Sequence, residues 1–208
     1  MFSLFFILFI SSVRAESFMP GDVILLPLSC YLCKAIEIET DSPWSHVGIV
    51  LKDEDKGNDG RLFVAHADGK VVRESIQKFI DMSTPGKKPA FFRSRTVAHL
   101  CQNKHSCDEF SKQLFERFRS HFEGLLYDHD FLWDNVDESG NEKLYCSEFV
   151  AKLLSPFIPG GLPPRPLSYK RAPEFWLDYF KGNVPEGVPG NAPADFARSS
   201  EFKSIFVN

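Results

Sequence analysis

The sequence predicts an α+β domain in which antiparallel strands pack against helices. Two runs rich in β-branched and aromatic residues, Ser45 to Leu51 and Arg61 to His66, flank a polar turn and read as a hairpin. Apolar residues recur at helical spacing from Asp108 to Leu126. A chain of 208 residues, 43% hydrophobic and 25% charged, is long enough for one domain with a substantial core and not for two.

Taken in order, Pro20-Gly21-Asp22 punctuates the entry and Val23 to Leu26 is a short buried strand. Tyr31 to Thr40 has helical tendency and stops at Asp41-Ser42-Pro43, before the hairpin. Asp22 is expected to be a turn residue holding the first strand. Lys70 to Arg73 and Ala90 to Arg93 are further strands around a short helix near Ser75 to Ile80. Between Asp108 and Leu126, Phe110, Leu114, Phe115, Phe118, Phe122, Leu125 and Leu126 form a core stripe, with Lys112, Glu116, Arg119 and Glu123 outside. A loop carrying Asp134, Asp137, Glu138 and Gly140 follows. Its spacing does not fit an EF-hand, so it reads as a solvated loop rather than a calcium site. Cys146 to Leu154 is a helix that Pro156 ends. Nine of the fourteen prolines lie from Pro156 onward, which predicts extended chain with short helices near Pro173 to Phe180 and Pro193 to Ser199.

Residues 1–10 are almost wholly apolar, and Val13 and Ala15 stand at the spacing a signal peptidase reads. The expectation is a leader over 1–15, cleaved after Ala15, and a single domain over 16–208 that is secreted or periplasmic and not transmembrane. The formal charge of −4 and the absence of a Lys/Arg cluster exclude a nucleic-acid footprint as the first reading. Export makes disulfides admissible for the five cysteines and leaves one thiol over. Cys101 and Cys107 can close a small loop. Cys30 and Cys33 form a C-x-x-C that admits a structural bridge, two packed thiols or a redox dithiol, and zinc would need that pair to meet Cys101, His105 or Cys107. No cofactor and no metal is expected.

A nucleophilic cysteine needs an environment that favours its thiolate, an imidazole to hold its proton and a group to orient that imidazole. Cys146 stands where a helix begins, so first-turn N–H groups would favour the thiolate and bind an oxyanion. His46 opens one hairpin strand and His66 closes the other. If Leu51 faces Arg61, paired residues sum to 112, as do 46 and 66, which would set the imidazoles directly opposite with Cβ atoms about 4.5–5.5 Å apart. The alternative is a strand-edge His46 bonded to backbone and an exposed His66.

Gly21-Asp22-Val23-Ile24, Ser45-His46-Val47-Gly48-Ile49-Val50, Tyr127-Asp128 with Phe131, and Leu144-Tyr145-Cys146-Ser147-Glu148-Phe149-Val150 resemble, in order and spacing, the circularly permuted papain-like enzymes of the YiiX/YaeF type. These are relatives of NlpC-type cell-wall peptidases and of lecithin retinol acyltransferase. The tail, with Trp176 to Phe180, Val188-Pro189-Gly190 and Pro193 to Ala197, is similar too, and the resemblance runs from Met19 to Phe206. It implies a permuted papain-like half-barrel of antiparallel strands on helices, with Cys146 as nucleophile and His46 as general base. The family's third polar residue is commonly a Glu followed by Ala, and this chain has His66-Ala67 there, a Cys-His-His set as in the lecithin retinol acyltransferase relatives. Tyr145 and Tyr127 are expected to border the pocket.

The resemblance implies acyl transfer through a thioester, on a small peptide, acyl-amino-acid or lipid substrate. The leading expectation is an exported amide hydrolase acting on cell-wall peptides or N-acylated amino acids, although a net charge of −5 after leader removal does not favour an anionic wall. A lipid acyl hydrolase or acyltransferase is the alternative, which a large dry groove would favour over a small polar pocket. A non-catalytic binding module is the third, requiring Cys146 to be buried, bridged, or out of hydrogen-bond reach of His46.

Overall fold

The structure, a computed structural model, describes residues 17–55 and 60–206. The expected leader therefore lies outside the described residues, as do residues 56–59 of the hairpin turn.

β1 (Val23–Leu26), β2 (His46–Lys52), β3 (Leu62–Asp68), β4 (Lys70–Glu74), β5 (Ala90–Ser94) and β8 (Phe202–Ile205) form one sheet in the order β4-β3-β2-β1-β5-β8. Every neighbouring pair in it is antiparallel. β6 (Arg165–Pro166) and β7 (Pro189–Gly190) make a separate two-stranded ladder. The helices are α1 (Tyr31–Thr40), α2 (Ile76–Asp81), α3 (Arg95–Leu100), α4 (Lys104–His121), α5 (Cys146–Leu154), α6 (Pro173–Tyr179) and α7 (Pro193–Arg198).

The central strands read as continuous apolar runs because both faces are covered. Val23, Leu25, Val47, Ile49 and Leu51 face α4 and α5, where Leu114, Phe118, Phe149 and Val150 meet them. Ile24, Leu26, Val50 and Val64 face the opposite way onto Phe79 of α2. Asp22, fully buried, does more than hold a turn. It takes a bidentate pair of 2.7 Å bonds from Nε and Nη2 of Arg93, which ties the entry of β1 to β5.

Two expectations are corrected. The hairpin register sums to 114, not 112: Gly48 pairs with His66 and Asp53 N donates to the Arg61 carbonyl at 3.0 Å, so the turn closes two residues later than Leu51 opposite Arg61 would require. β3 also runs past His66 to Asp68, since Ala67 and Asp68 pair with β4. The long helix starts earlier and ends earlier than its stripe: Asn103 caps it by accepting from Ser106 N at 3.1 Å, and Gly124, in the left-handed region at φ +87°, turns the chain so that Leu125 and Leu126 lie beyond it. α3 and β8 were not among the expected elements.

Cys30–Cys33 and Cys101–Cys107 lie at disulfide distance, with S–S 2.11 and 2.07 Å, which leaves Cys146 as the free thiol and no thiolate pair for zinc. The first bridge sits at the start of α1, and the second joins the end of α3 to α4. No helix among the described residues is long and apolar enough to cross a membrane.

Candidate active site

Cys146 is the first residue of α5, a nine-residue helix that packs across β2 and β3. Tyr145 precedes it in extended conformation and provides no side-chain cap, so the first-turn N–H groups are left for other partners. The N–H groups of Val47, Ser147 and Cys146 itself act on the sulfur. Val47 follows His46, and the β2–β3 ladder begins only at Gly48, so the sulfur meets β2 where its neighbour strand has parted from it. Burial outweighs these donors and pushes the thiol up to about 11.

His46 and His66 lie on the same face of the sheet as diagonal neighbours, because Gly48 occupies the position opposite His66. They are nonetheless bonded: His46 Nε2 and His66 Nδ1 are 3.0 Å apart. The aromatic ring of Phe79 packs against both imidazoles, at 5.6 and 4.9 Å between centroids. Gly48 makes room for it, since a Cβ there would stand 2.7 Å from Phe79 Cζ and 2.5 Å from Val64 Cγ1. Burial, and secondarily the neighbouring His66, lowers His46 to about 3. His66 is lowered by burial as well, against the pull of Asp68 and Glu74. The resting site therefore holds a neutral thiol and neutral imidazoles. Among the described residues no hydrogen bond joins the thiol to either ring, and the two halves of the site meet through Val47.

Cys146 opens on a small cavity of about 60 Å³. Tyr127, Phe131, Tyr145, Leu167 and Trp176 give it a mostly apolar lining. Both expected tyrosines are present, but the Tyr145 hydroxyl is turned to accept from Asn191 N at 3.1 Å. Gly190 permits this approach, because a Cβ there would be 2.8 Å from that hydroxyl. The far wall is fastened to α1 by one carboxylate: Glu39 accepts from Ser168 Oγ, Lys170 N, Arg171 N and Trp176 Nε1. Asn191 and Tyr169, which also line the cavity, were not singled out from the sequence. The one available signal was a polar Asn between Pro189-Gly190 and Ala192-Pro193 in an otherwise small and apolar stretch.

Asp134, Glu142 and Glu148 bring carboxylate oxygens within 4.8 Å of one another, the arrangement that could hold a cation. The Lys152 ammonium already stands among them, 2.5 Å from Asp134 and 2.8 Å from Glu148 and in contact with Glu142. A metal ion would have to displace it. Glu148 is raised to about 7, chiefly by burial.

The model of the permuted papain-like amidase enzymes, the YaeF/YiiX or C92 family, matches residues 17–205. The chain belongs to this family. A solved structure, titled as the metalloprotein yiiX from Escherichia coli O157:H7, superposes on this YaeF/YiiX-type chain with a TM-score of 0.73 over 91% of this chain and 97% of that one, at 18% identity. That likeness establishes the permuted papain-like fold. No curated protein matches the chain. Membership makes the chain a papain-like hydrolase by family, of the amidase kind.

Proposed function

We propose that the chain is an exported thiol hydrolase that cleaves amide bonds, in N-acylated amino acids or small peptides, through a thioester on Cys146. The observation that carries this reading is a free thiol at the start of α5, opening on a mostly apolar cavity, with backbone N–H groups around the sulfur and a bonded histidine pair on the adjoining strands β2 and β3. The sulfur attacks the substrate carbonyl while N–H groups of the first turn stabilise the oxyanion. For His46 to take the thiol proton at Nδ1, its Nε2–H must donate to His66 Nδ1, which makes His66 a positioning residue and puts the His66 proton on Nε2. His46 then passes the proton to the leaving amine, and water attacking the thioester releases the acyl group and restores the thiol. Because both groups rest neutral, the proton moves as the thiol attacks and no thiolate is stored beforehand. The two bridged cysteine pairs support an oxidising compartment and hence export.

The apolar lining also favours the lipid reading, but the space fits one apolar side chain or a short acyl group better than a long acyl chain. A non-catalytic module is favoured by a different observation, the burial of Cys146 without an imidazole hydrogen bond. Labelling with an acylating thiol probe decides between enzyme and module. Labelling of wild type that is lost in Cys146→Ala and weakened in His46→Ala is expected, and folded wild-type protein that stays unlabelled would reject the hydrolase.

A further inference from the structure

Among the residues lining the mostly apolar cavity beside Cys146, two carry buried polar atoms without partners among the described residues, Asn191 Oδ1 and Tyr169 Oη. Both residues are nearly closed off from solvent, 4% and 5% exposed. A buried acceptor left unpaired is costly, and native proteins rarely keep one without a use.

The orientation of Asn191 is fixed by its other bonds. Its backbone N donates to Tyr145 Oη, its carbonyl accepts from Ser147 Oγ at 3.1 Å, and its Nδ2 donates to the Ser147 carbonyl at 3.2 Å. A carbonyl can only accept, so the amide cannot be flipped, and Oδ1 is the one polar atom of Asn191 left over. Asn191 is thereby pinned to the residues on either side of the nucleophile, Tyr145 and Ser147. An oxygen held there can only accept a hydrogen bond from a guest's N–H or O–H, and in an amide substrate that donor is the N–H. Tyr169, which lines the same cavity, carries a hydroxyl able to donate to a carbonyl or carboxylate oxygen.

We infer that Asn191 Oδ1 is a specificity determinant that accepts an N–H of the substrate, and that the ligand class is a secondary amide carried on an apolar group, with an acceptor oxygen for Tyr169. An ester or a plain acyl lipid has no N–H to offer and would leave Oδ1 buried and unpaired. A site built to bond an N–H rejects the analogue that lacks it. This inference rests on the amide-hydrolase reading and narrows its substrate.

The test uses three compounds. N-acetyl-phenylalanine p-nitroanilide carries both N–H groups, 3-phenylpropionyl p-nitroanilide lacks the acylamino N–H, and N-acetyl-phenylalanine p-nitrophenyl ester lacks the leaving-group N–H. Asn191→Ala should lower kcat/KM for the first roughly 10- to 100-fold, and for one of the other two by no more than about threefold. A purely structural role would lower all three alike, and that result overturns the inference. If Asn191→Ala does not fold, the corresponding carboxamides and methyl ester are titrated into Cys146→Ala protein. There the analogue lacking the bonded N–H should bind roughly tenfold more weakly than N-acetyl-phenylalaninamide. Equal binding, or no binding of any of them, overturns the inference. Binding with this discrimination but no turnover by wild type would fail the hydrolase reading and leave the N–H recognition standing.

Discussion

Acid should weaken the fold through the histidine pair, and the amount can be worked from the site. His46 is held neutral at about 3, against 6.5 for the free side chain. Between those values the unfolded chain binds a proton that the folded chain refuses, so stability is fully present above 6.5 and is lost as pH falls. One pKa unit corresponds to about 1.4 kcal/mol, which gives about 2 kcal/mol lost by pH 5 and at most about 5 kcal/mol by pH 3. Glu148 acts oppositely: raised from 4.5 to about 7, it adds stability as pH drops from 7 toward 4.5. The measurement must therefore be a difference between proteins that share Glu148. Urea unfolding of wild type and His46→Gln, followed by tryptophan fluorescence with the disulfides intact, isolates the histidine, because glutamine keeps a donor toward His66 and does not titrate. The stability gap between the two should shrink by about 2 kcal/mol from pH 7 to pH 5. Parallel pH curves would refute the claim that burial holds His46 neutral.

Three further outcomes are expected. The rate of Cys146 alkylation by iodoacetamide should climb with pH toward about 11 without a plateau near neutrality, whereas a plateau would reveal a thiolate–imidazolium pair already formed at rest. Gly48→Ala should cost about 1–3 kcal/mol, since its Cβ would meet Phe79 and Val64, and should shift the imidazole resonances of both histidines in NMR spectra; unchanged resonances would mean Phe79 does not hold the pair. Arg93→Ala, which removes the guanidinium from the buried Asp22 carboxylate, should destabilise by about 3–5 kcal/mol in thermal or urea unfolding, and a loss below about 1 kcal/mol would contradict the reading of this pair as an anchor.

Much of the architecture was legible because its signals are local. Val23–Leu26 and His46–Lys52 are apolar runs too short for helices, and the α5 segment carries its own stripe and its own stop at Pro156. The four motifs also stand in the order that the family fold requires, so Cys146, His46 and His66 could be named together. What failed depended on distant partners. The hairpin register turns on how many residues the turn between Asp53 and Gly60 consumes, which composition does not reveal, and a two-residue slip keeps every side chain on its face while changing who stands opposite whom. β8 is four residues whose pairing with β5 lies more than a hundred positions away, and α3 is a single capped turn and a half. Asn191 escaped notice for the same reason: its meaning comes from Ser147 and Tyr145, which only the folded chain brings to it.

The four bonds that converge on Glu39 have a mechanical corollary. With hydroxyl, amides and indole gathered on a single side chain of α1, four bonds of the strip from Ser168 to Trp176 converge on one carboxylate, while Tyr169 N donates to Glu186 and Arg171 pairs with Asp41 beside it. A substitution at Glu39 would therefore release four bonds of that cavity wall at once and leave its ties to Glu186 and Asp41 in place.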